Sequence, residues 1–168
     1  MDTMSIQESF QGILFGIALV TGLLGTSVAM ASPMINIPGS ACIAEGGVPL
    51  NVDTDGEAEN LSTSVVWAIC AAERTISPSD TTLGGTVWVI DLSSTQDVCC
   101  RAVSKNPGGA RVNGPFTCSS GATSTFQGLT ITSITDPFTF SSFYFECQLP
   151  ANSGGGVSRI QGYRTVAQ

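Results

Sequence analysis

The clearest β-strand signal in the chain is the stretch SSFYFECQL at residues 141–149. Side chains alternate between the two faces of a strand, so Phe143, Phe145 and Cys147 share one side and Tyr144 lies on the other. The first set is the more apolar, and we expect it to face a hydrophobic core. The stretch therefore predicts a strand with one face buried.

The rest of the chain repeats this pattern of short β-rich runs. Clusters of Gly, Pro, Ser and Asn separate the runs, and no stretch has the apolar spacing of an amphipathic helix beyond a turn or two. Several short strands at such spacing predict a sandwich. The expected fold class is all-β, a single-domain antiparallel β-sandwich stapled by disulfides. The predicted strands are 64–71, 86–92, 97–103, 126–134, 141–149 and 158–166, with weaker ones at 41–44 and 114–118.

The six cysteines of the chain all follow residue 41. An even number of cysteines in a small domain predicts a disulfide framework, which persists in an oxidising compartment. Cys99 and Cys100 are adjacent, and neighbours on a strand point to opposite faces, so they are expected to bond different partners. One should reach the core or the opposite sheet, and the other an exposed or edge partner. Six cysteines allow fifteen pairings in principle. The favoured pairs are Cys42–Cys70, Cys100–Cys147 and Cys99–Cys118.

Two alternative roles for the cysteines, as zinc ligands or as a lipid-attachment site, have less support in the sequence than disulfides. The chain has no histidine and no pair of cysteines separated by two residues, so the usual zinc-ligand spacings are missing. The sequence GSAC at residues 39–42 resembles the end of a lipid-attachment box, but Cys42 lies far beyond the apolar run near the N-terminus. Disulfides remain the preferred interpretation.

Residues 1–31 have the pattern of a removable export signal. The uncharged apolar run from Ile13 to Val28 is short for a membrane span, which takes about 20 apolar residues, and a small-residue Ala-Met-Ala follows it. The segment before the run has Asp2 and Glu8 where a signal peptide is usually basic, which leaves an uncleaved anchor as an alternative. We expect a mature domain at residues 32–168 that is secreted, periplasmic or at the cell surface, without membrane association once the signal is removed.

The charge of the chain excludes one class of partner. Thirteen acidic residues against six Lys and Arg give a formal net charge of -7. Nucleic-acid binding depends on a basic stripe that neutralises phosphates, and the few basic residues here are dispersed along the sequence. The expected partner is an unknown extracellular ligand or protein, and not a nucleic acid.

The order of the cysteines and predicted strands along the chain resembles that of a known group of proteins. Cys42 precedes residues 56–60 and the strand that ends at Cys70, and residues 86–91 then lead to Cys100. The chain closes with FYFECQLP and, a few residues later, SRIQGYR. This arrangement resembles a group of small secreted disulfide-containing β-sandwich proteins of unknown function from bacteria. The shared features are strand and disulfide signatures, so the resemblance implies no catalytic residues.

Catalytic machinery that depends on histidine is excluded, because the chain contains none. This removes the Ser-His-Asp and Cys-His nucleophile systems and the commonest general base. A glycosidase needs only two carboxylates, and nothing in the sequence pairs any two of those present. The alternative function is therefore a small secreted carbohydrate-active enzyme that uses paired carboxylates. The candidates are Glu57, Glu59, Asp91, Asp97, Asp136 and Glu146.

One acidic segment matches part of a calcium-binding loop. Oxygen ligands at alternate positions can converge on one cation, and Gly56 permits the sharp turn that such a loop needs. The position for a bidentate Glu holds Ser62, and the flanks read as extended chain, so a solvated turn is the preferred interpretation. No cofactor is expected, with calcium as the alternative. The candidate ligands are Asn51, Asp53, Asp55 and Glu59.

Four aromatic residues are candidates for binding: Trp67, Trp88, Tyr144 and Tyr163. An aromatic ring on an exposed sheet face can stack on a sugar ring or anchor a protein partner. Both tryptophans have apolar neighbours on both sides in the sequence, so burial in the core is the preferred interpretation for them. The sequence thus favours an exported, noncatalytic structural or binding module of unknown ligand, and no catalytic residue is assigned.

Overall fold

The computed structural model describes residues 34–72, 81–152 and 155–167. The predicted export signal at residues 1–31 lies outside these ranges. Within them the chain consists of strands and loops with a single turn of 3-10 helix at Gly39–Ala41, and it contains no helix with the length and apolar character needed to cross a membrane. The twelve strands are β1 Ile35–Pro38, β2 Cys42–Ala44, β3 Asn51–Val52, β4 Ala58–Glu59, β5 Val66–Ala72, β6 Thr82–Asp91, β7 Cys99–Lys105, β8 Arg111–Asn113, β9 Thr117–Cys118, β10 Thr123–Thr135, β11 Ser142–Leu149 and β12 Arg159–Ala167.

These strands form two antiparallel sheets, which confirms the predicted all-β sandwich. In the first, here named the β6 sheet, the strand order is β10-β6-β12-β4-β3, and β1 also pairs with β12. In the second, the β11 sheet, the order is β2-β5-β11-β7-β8, and β9 also pairs with β7. Each sheet therefore has one face toward the other sheet and one outer face.

The core between the sheets is built from alternate residues of the strands. On β11, Phe145 and Cys147 are fully buried in it, as the alternation of that strand predicts. On β6, Val87 and Val89 point inward, so the residue between them points outward. Burial of one such side chain contributes about 1.5 to 3 kcal/mol, which makes this shared core the main source of stability.

All three disulfides lie within the β11 sheet, and they join the same cysteines that the sequence analysis paired. Each bond links residues that face each other directly on adjacent antiparallel strands. The Cα–Cα distances are 4.1 Å, 4.0 Å and 4.1 Å, near the separation of about 4.5 Å that is usual for closely spaced cross-strand pairs. The bonds therefore fix strand register within one sheet and do not join the two sheets. The pairs are Cys42–Cys70, Cys99–Cys118 and Cys100–Cys147.

A buried aspartate organises one end of the sandwich. Asp91 at the end of β6 is fully buried, and its carboxylate accepts hydrogen bonds from the backbone N–H groups of Ser93 and Val98 at 3.0 and 3.2 Å. The hydroxyls of Ser119 and Ser158 donate to the same carboxylate at 2.6 and 3.0 Å. A buried carboxylate is tolerated when it is satisfied in this way. Asp91 thus ties three loops to the β6 sheet.

Some short strands of the structure were not predicted from the sequence. β1 and β8 were not predicted, and neither was the hairpin of β3 and β4. Each has two to four residues, too few for alternation to be visible in the sequence. The longer strands all lie where they were predicted, within a few residues at each end.

Candidate binding surface

An aromatic platform lies on the outer face of the β6 sheet, centred on Trp88. In the strand register, Trp88 of β6 is directly opposite Gly128 of β10 on one side and Gly162 of β12 on the other. Directly opposed residues of antiparallel strands point to the same face, so both neighbours of the indole lack a side chain. The indole leans toward Gly128, where a Cβ atom would be 3.6 Å from Cδ1 and Nε1 of the ring. The two residues directly opposite the half-buried Trp88 therefore place no side chain beside the indole.

A shallow groove of about 340 Å³ adjoins this platform. The described residues in its lining are Trp88, Phe126, Gln161 and Gly162. Phe126 is 66% exposed, and it lies in the irregular part of β10, where the register with β6 shifts between residues 123 and 127. An exposed phenylalanine beside a half-buried tryptophan makes an apolar surface with a polar amide at its edge.

A row of polar side chains follows the platform along the strands. Thr86 of β6 lies between Thr130 of β10 and Arg164 of β12, and Arg164 in turn faces Asn36 of β1. Nε of Arg164 donates to Oδ1 of Asn36 at 2.8 Å, and its guanidinium carbon is 5.4 Å from the centre of the Trp88 ring. This row lies two residues along the strands from Trp88, a distance of about 7 Å. Hydrogen-bonding groups therefore stand next to the stacking surface.

A second aromatic cluster lies on the opposite outer face, that of the β11 sheet. The ring of Trp67 is 6.0 Å from that of Phe116, and the guanidinium of Arg101 lies 4.5 Å from the centre of the Phe116 ring. Arg111 lies 5.9 Å from the ring centre of Tyr144, which is only 9% exposed. Tyr144 is therefore largely covered, whereas Phe116 is 41% exposed.

Glu146 holds this second cluster together electrostatically. Its carboxylate is paired with Arg101 at 2.5 Å and with Arg111 at 2.6 Å, and the residue is 3% exposed. Burial opposes ionisation, but hydrogen bonds from Arg111 and Arg101, together with their charges, outweigh it and lower the pKa of Glu146 below its ordinary value of 4.5. Burial also raises the pKa of the Tyr144 hydroxyl. The two arginines are thus occupied within the protein.

The structure corrects three of the predictions for aromatic residues. Trp88 and Trp67 are half-buried on the two outer faces, so the preferred interpretation of both as core residues is wrong. Tyr163 is 1% exposed and packs edge-on against Phe145 in the core at 6.1 Å between ring centres. Its hydroxyl donates to the backbone oxygen of Ala71 at 2.8 Å. Tyr163 is therefore not available to a ligand, and its predicted binding role is wrong.

The acidic segment forms the turn of the β3–β4 hairpin. Asp53 Oδ1 accepts hydrogen bonds from the backbone N–H groups of Asp55 and Glu57 at 3.0 and 2.9 Å, and Gly56 has a φ of 81°, in the left-handed region. A carboxylate that caps its own turn with a glycine two or three residues later is typical of turn geometry. The structure thus contains the turn that was the preferred interpretation of this segment.

Three carboxylates of this hairpin come together, but they are not the set predicted from the sequence. Carboxylate oxygens of Asp53, Glu57 and Glu59 lie within 4.8 Å of one another, and Asp55 is outside this group. Arg159 pairs with Glu57 at 3.0 Å and with Glu59 at 3.3 Å. The amide of Asn51, another predicted ligand, donates to Glu59 at 3.0 Å. Calcium binding at Asn51, Asp53, Asp55 and Glu59 stays a prediction.

The carboxylates proposed for an enzyme are mostly engaged with protein groups. Glu57 and Glu59 both pair with Arg159. Asp91 accepts hydrogen bonds from backbone and serine donors, and Glu146 is paired with two arginines. Asp136 is 6% exposed and accepts hydrogen bonds from the Ser104 hydroxyl at 2.8 Å and from the backbone N–H of Phe138 at 2.9 Å. Asp97 is exposed and accepts from the backbone N–H of Gly121 at 3.3 Å. Among the described residues, no carboxylate lines the groove beside Trp88, but Nε2 of Gln161 in that lining donates to Glu57 at 2.9 Å.

Phe126, Gln161 and Arg164 were not predicted from the sequence as part of a binding surface, and neither were the two glycines, Gly128 and Gly162. The sequence did contain one signal that could have identified the two glycines. Gly128 and Gly162 each lie inside a run of β-forming residues, and glycine inside a strand often marks a place where a ligand or another backbone approaches closely.

Comparison with known proteins identifies the fold. No known protein family matches the sequence, and no curated protein matches it. Similar solved structures include the CBM22-1 xylan-binding domain from Paenibacillus barcinonensis, with a TM-score of 0.51, 7% identity, and coverage of 82% of this chain and 96% of that one. Another is the xylan-binding module CBM15, with a TM-score of 0.50, 13% identity, and coverage of 82% and 97%.

The chain also aligns with part of a larger protein. This is a family two carbohydrate esterase from Cellvibrio japonicus, with a TM-score of 0.46 and 12% identity. The alignment covers 81% of this chain but only 34% of the esterase, so the chain spans about a third of that length. At identities this low the likeness is one of fold: the chain has a β-sandwich fold that carbohydrate-binding modules also have.

Proposed function

We propose that this chain is a noncatalytic extracellular module that binds a polysaccharide on the outer face of the β6 sheet. The observation that carries the proposal is the position of Trp88 between Gly128 and Gly162, next to the exposed Phe126. Glycine inside a strand costs about 0.5 to 1 kcal/mol relative to alanine. Gly128 therefore weakens the sheet at the point where the absence of its side chain leaves room for the indole. A Cβ atom at Gly162 would instead lie 3.0 Å from the backbone oxygen of Ile37 on β1.

The chemistry of the surface fits a sugar chain. A sugar ring has apolar C–H faces that can stack on an indole and hydroxyls around its rim that form hydrogen bonds. The platform offers Trp88 and Phe126 for stacking, with Thr86 and Arg164 at its edges for hydrogen bonding. Gln161 adds its amide oxygen, since its Nε2 donates to Glu57. The groove is open and shallow, so it suits a long polymer better than a small molecule that must be enclosed.

A noncatalytic role is supported by the state of the carboxylates. Glycoside hydrolysis needs two carboxyl groups on either side of the scissile bond, about 5 to 10 Å apart. Among the described residues, none lines the groove beside Trp88, and Glu57, Glu59 and Glu146 are each paired with arginine. Incubation of the protein with the polysaccharide that it binds is expected to release no reducing sugar.

An extracellular location is supported by the three disulfides, because such bonds persist mainly in oxidising compartments. Xylan is the first polysaccharide to test, since two solved structures with the same fold are described as xylan-binding. The fold likeness alone does not fix the ligand, so cellulose, β-glucan and pectin belong in the same panel.

Affinity electrophoresis in gels that contain each polysaccharide tests the proposal. The unmodified chain should be retarded by at least one polymer, and Trp88→Ala should weaken binding about tenfold or more, as for an aromatic anchor of a binding surface. Trp67→Ala is the matched control, because it removes the same ring from the opposite outer face. Near-ultraviolet circular dichroism confirms that both variants are folded. Retardation by none of the polymers, or a loss confined to Trp67→Ala, would contradict the proposal.

A further inference from the structure

Arg164 differs from the other arginines that the structure describes. Arg101 and Arg111 are paired with Glu146, and Arg159 is paired with Glu57 and Glu59. Within the described residues, no carboxylate lies within ion-pairing distance of Arg164. Among the described residues, Arg164 therefore has no carboxylate partner, in a chain with 13 acidic residues and a net charge of -7.

The contacts of Arg164 hold its side chain in place but leave its charge uncompensated. Nε donates to Asn36 at 2.8 Å, and the guanidinium lies over the Trp88 ring at 5.4 Å from its centre. These two contacts place the guanidinium against the indole that lines the groove. The two terminal nitrogens have no hydrogen-bond partner among the described residues. They form a fork of donors that matches the geometry of a carboxylate.

From this geometry we infer that the polysaccharide carries uronic acid groups, and that Arg164 binds their carboxylates while the sugar chain stacks on Trp88. This inference rests on the proposed function, and it narrows the ligand from polysaccharides in general to acidic ones. The overall negative charge of the protein does not oppose such binding at close range, because salt screens charges more than about 8 Å apart at physiological ionic strength.

A pair of polymers that differ only in charge provides the test. One is glucuronoxylan, and the other is the same polymer after its carboxyl groups have been reduced to primary alcohols. The unmodified chain should bind glucuronoxylan about tenfold more tightly than the reduced polymer, the size of effect expected from a charged hydrogen bond. Arg164→Gln should bind both polymers with equal affinity. This affinity should match that of the unmodified chain for the reduced polymer.

The control variant is Lys105→Gln, which removes the same charge from the β11 sheet and should keep the preference for glucuronoxylan. Equal binding of both polymers by the unmodified chain would overturn the inference and leave the proposed function standing. Binding of neither polymer, together with no retardation by any polymer of the wider panel, would contradict both. A sulfated xylan is the third probe, and a preference for it over glucuronoxylan would overturn the assignment to a carboxylate.

Discussion

Cys99 and Cys100 are neighbours on β7, but their disulfides lie on opposite faces of the β11 sheet. Cys100 points into the core and bonds Cys147 of β11, whereas Cys99 points outward and bonds Cys118 of β9. β11 and β9 lie on opposite sides of β7 in the sheet. The adjacent cysteines thus fix the register of one strand against both of its neighbours.

This arrangement predicts the order in which the disulfides are reduced. Cys118 is exposed and Cys99 is half-buried, while Cys100 and Cys147 are fully buried. Because thiol–disulfide exchange needs access to sulfur, a mild reductant under native conditions should open Cys99–Cys118 first.

Mass spectrometric mapping after timed alkylation measures this order. Loss of this bond, which closes 19 residues, should lower the free energy of unfolding by about 3 kcal/mol and leave the fold intact. If a buried bond opened before Cys99–Cys118, the assignment of inner and outer faces would be wrong.

The lowered pKa of Glu146 predicts acid sensitivity. Above its ordinary pKa of 4.5 the carboxylate is ionised in both the folded and the unfolded chain, so its contribution to stability is fully present. Below that value the carboxylate of the unfolded chain takes up a proton first. The contribution of Glu146 to stability is then lost as the pH falls through the lower pKa that Glu146 has in the folded chain. Glu146→Gln should therefore lower stability at neutral pH by about 1.5 to 3 kcal/mol, with a difference that shrinks below about pH 4.5.

Urea unfolding measured at a series of pH values tests this prediction. Asp55→Asn is the matched control, because it also changes a carboxylate to an amide but at an exposed position in the turn between β3 and β4, and it should behave like the unmodified chain. A Glu146→Gln deficit of equal size at every pH would show that the carboxylate charge is not the source of the stabilisation.

Gly128 offers a way to block the platform without removing its tryptophan. A side chain at this position would contact the indole, with Cβ 3.6 Å from the ring, and the backbone there tolerates any residue. Gly128→Val should preserve stability or raise it, because valine favours strands more than glycine does. It should also lower polysaccharide affinity by about tenfold or more, because the added methyl groups displace the ring.

Thermal unfolding and affinity electrophoresis of the same protein preparation separate these two effects. Gly108→Val, in the loop between β7 and β8, adds the same side chain away from the platform and should leave affinity unchanged. A Gly128→Val chain that binds as tightly as the unmodified one would show that the ligand does not occupy the platform.

The fold could be predicted from the sequence because its determinants are local. Alternation along residues 141–149 correctly predicts that Phe145 and Cys147 lie in the core. Because Cys99 and Cys100 are adjacent on one strand, their side chains point to opposite faces of the sheet. The short strands were missed because two to four residues are too few to show a period.

The binding surface could not be predicted in the same way, because it depends on register between distant strands. Trp88 has apolar neighbours in sequence, which suggested burial, but its neighbours in space are Gly128 and Gly162. Tyr163 follows Gly162 directly and points to the other face, into the core. Only the pairing of β10, β6 and β12 shows which of these aromatic residues a ligand can reach.

The most direct measurement uses the fact that the chain has two tryptophans, one on each outer face. Trp67→Phe leaves Trp88 as the sole indole, and Trp88→Phe leaves Trp67. On titration with a polysaccharide that the unmodified chain binds, the Trp67→Phe protein should show a saturable change in tryptophan emission, and the Trp88→Phe protein should show none. A saturable change seen only through Trp67 would contradict binding at the β6 sheet.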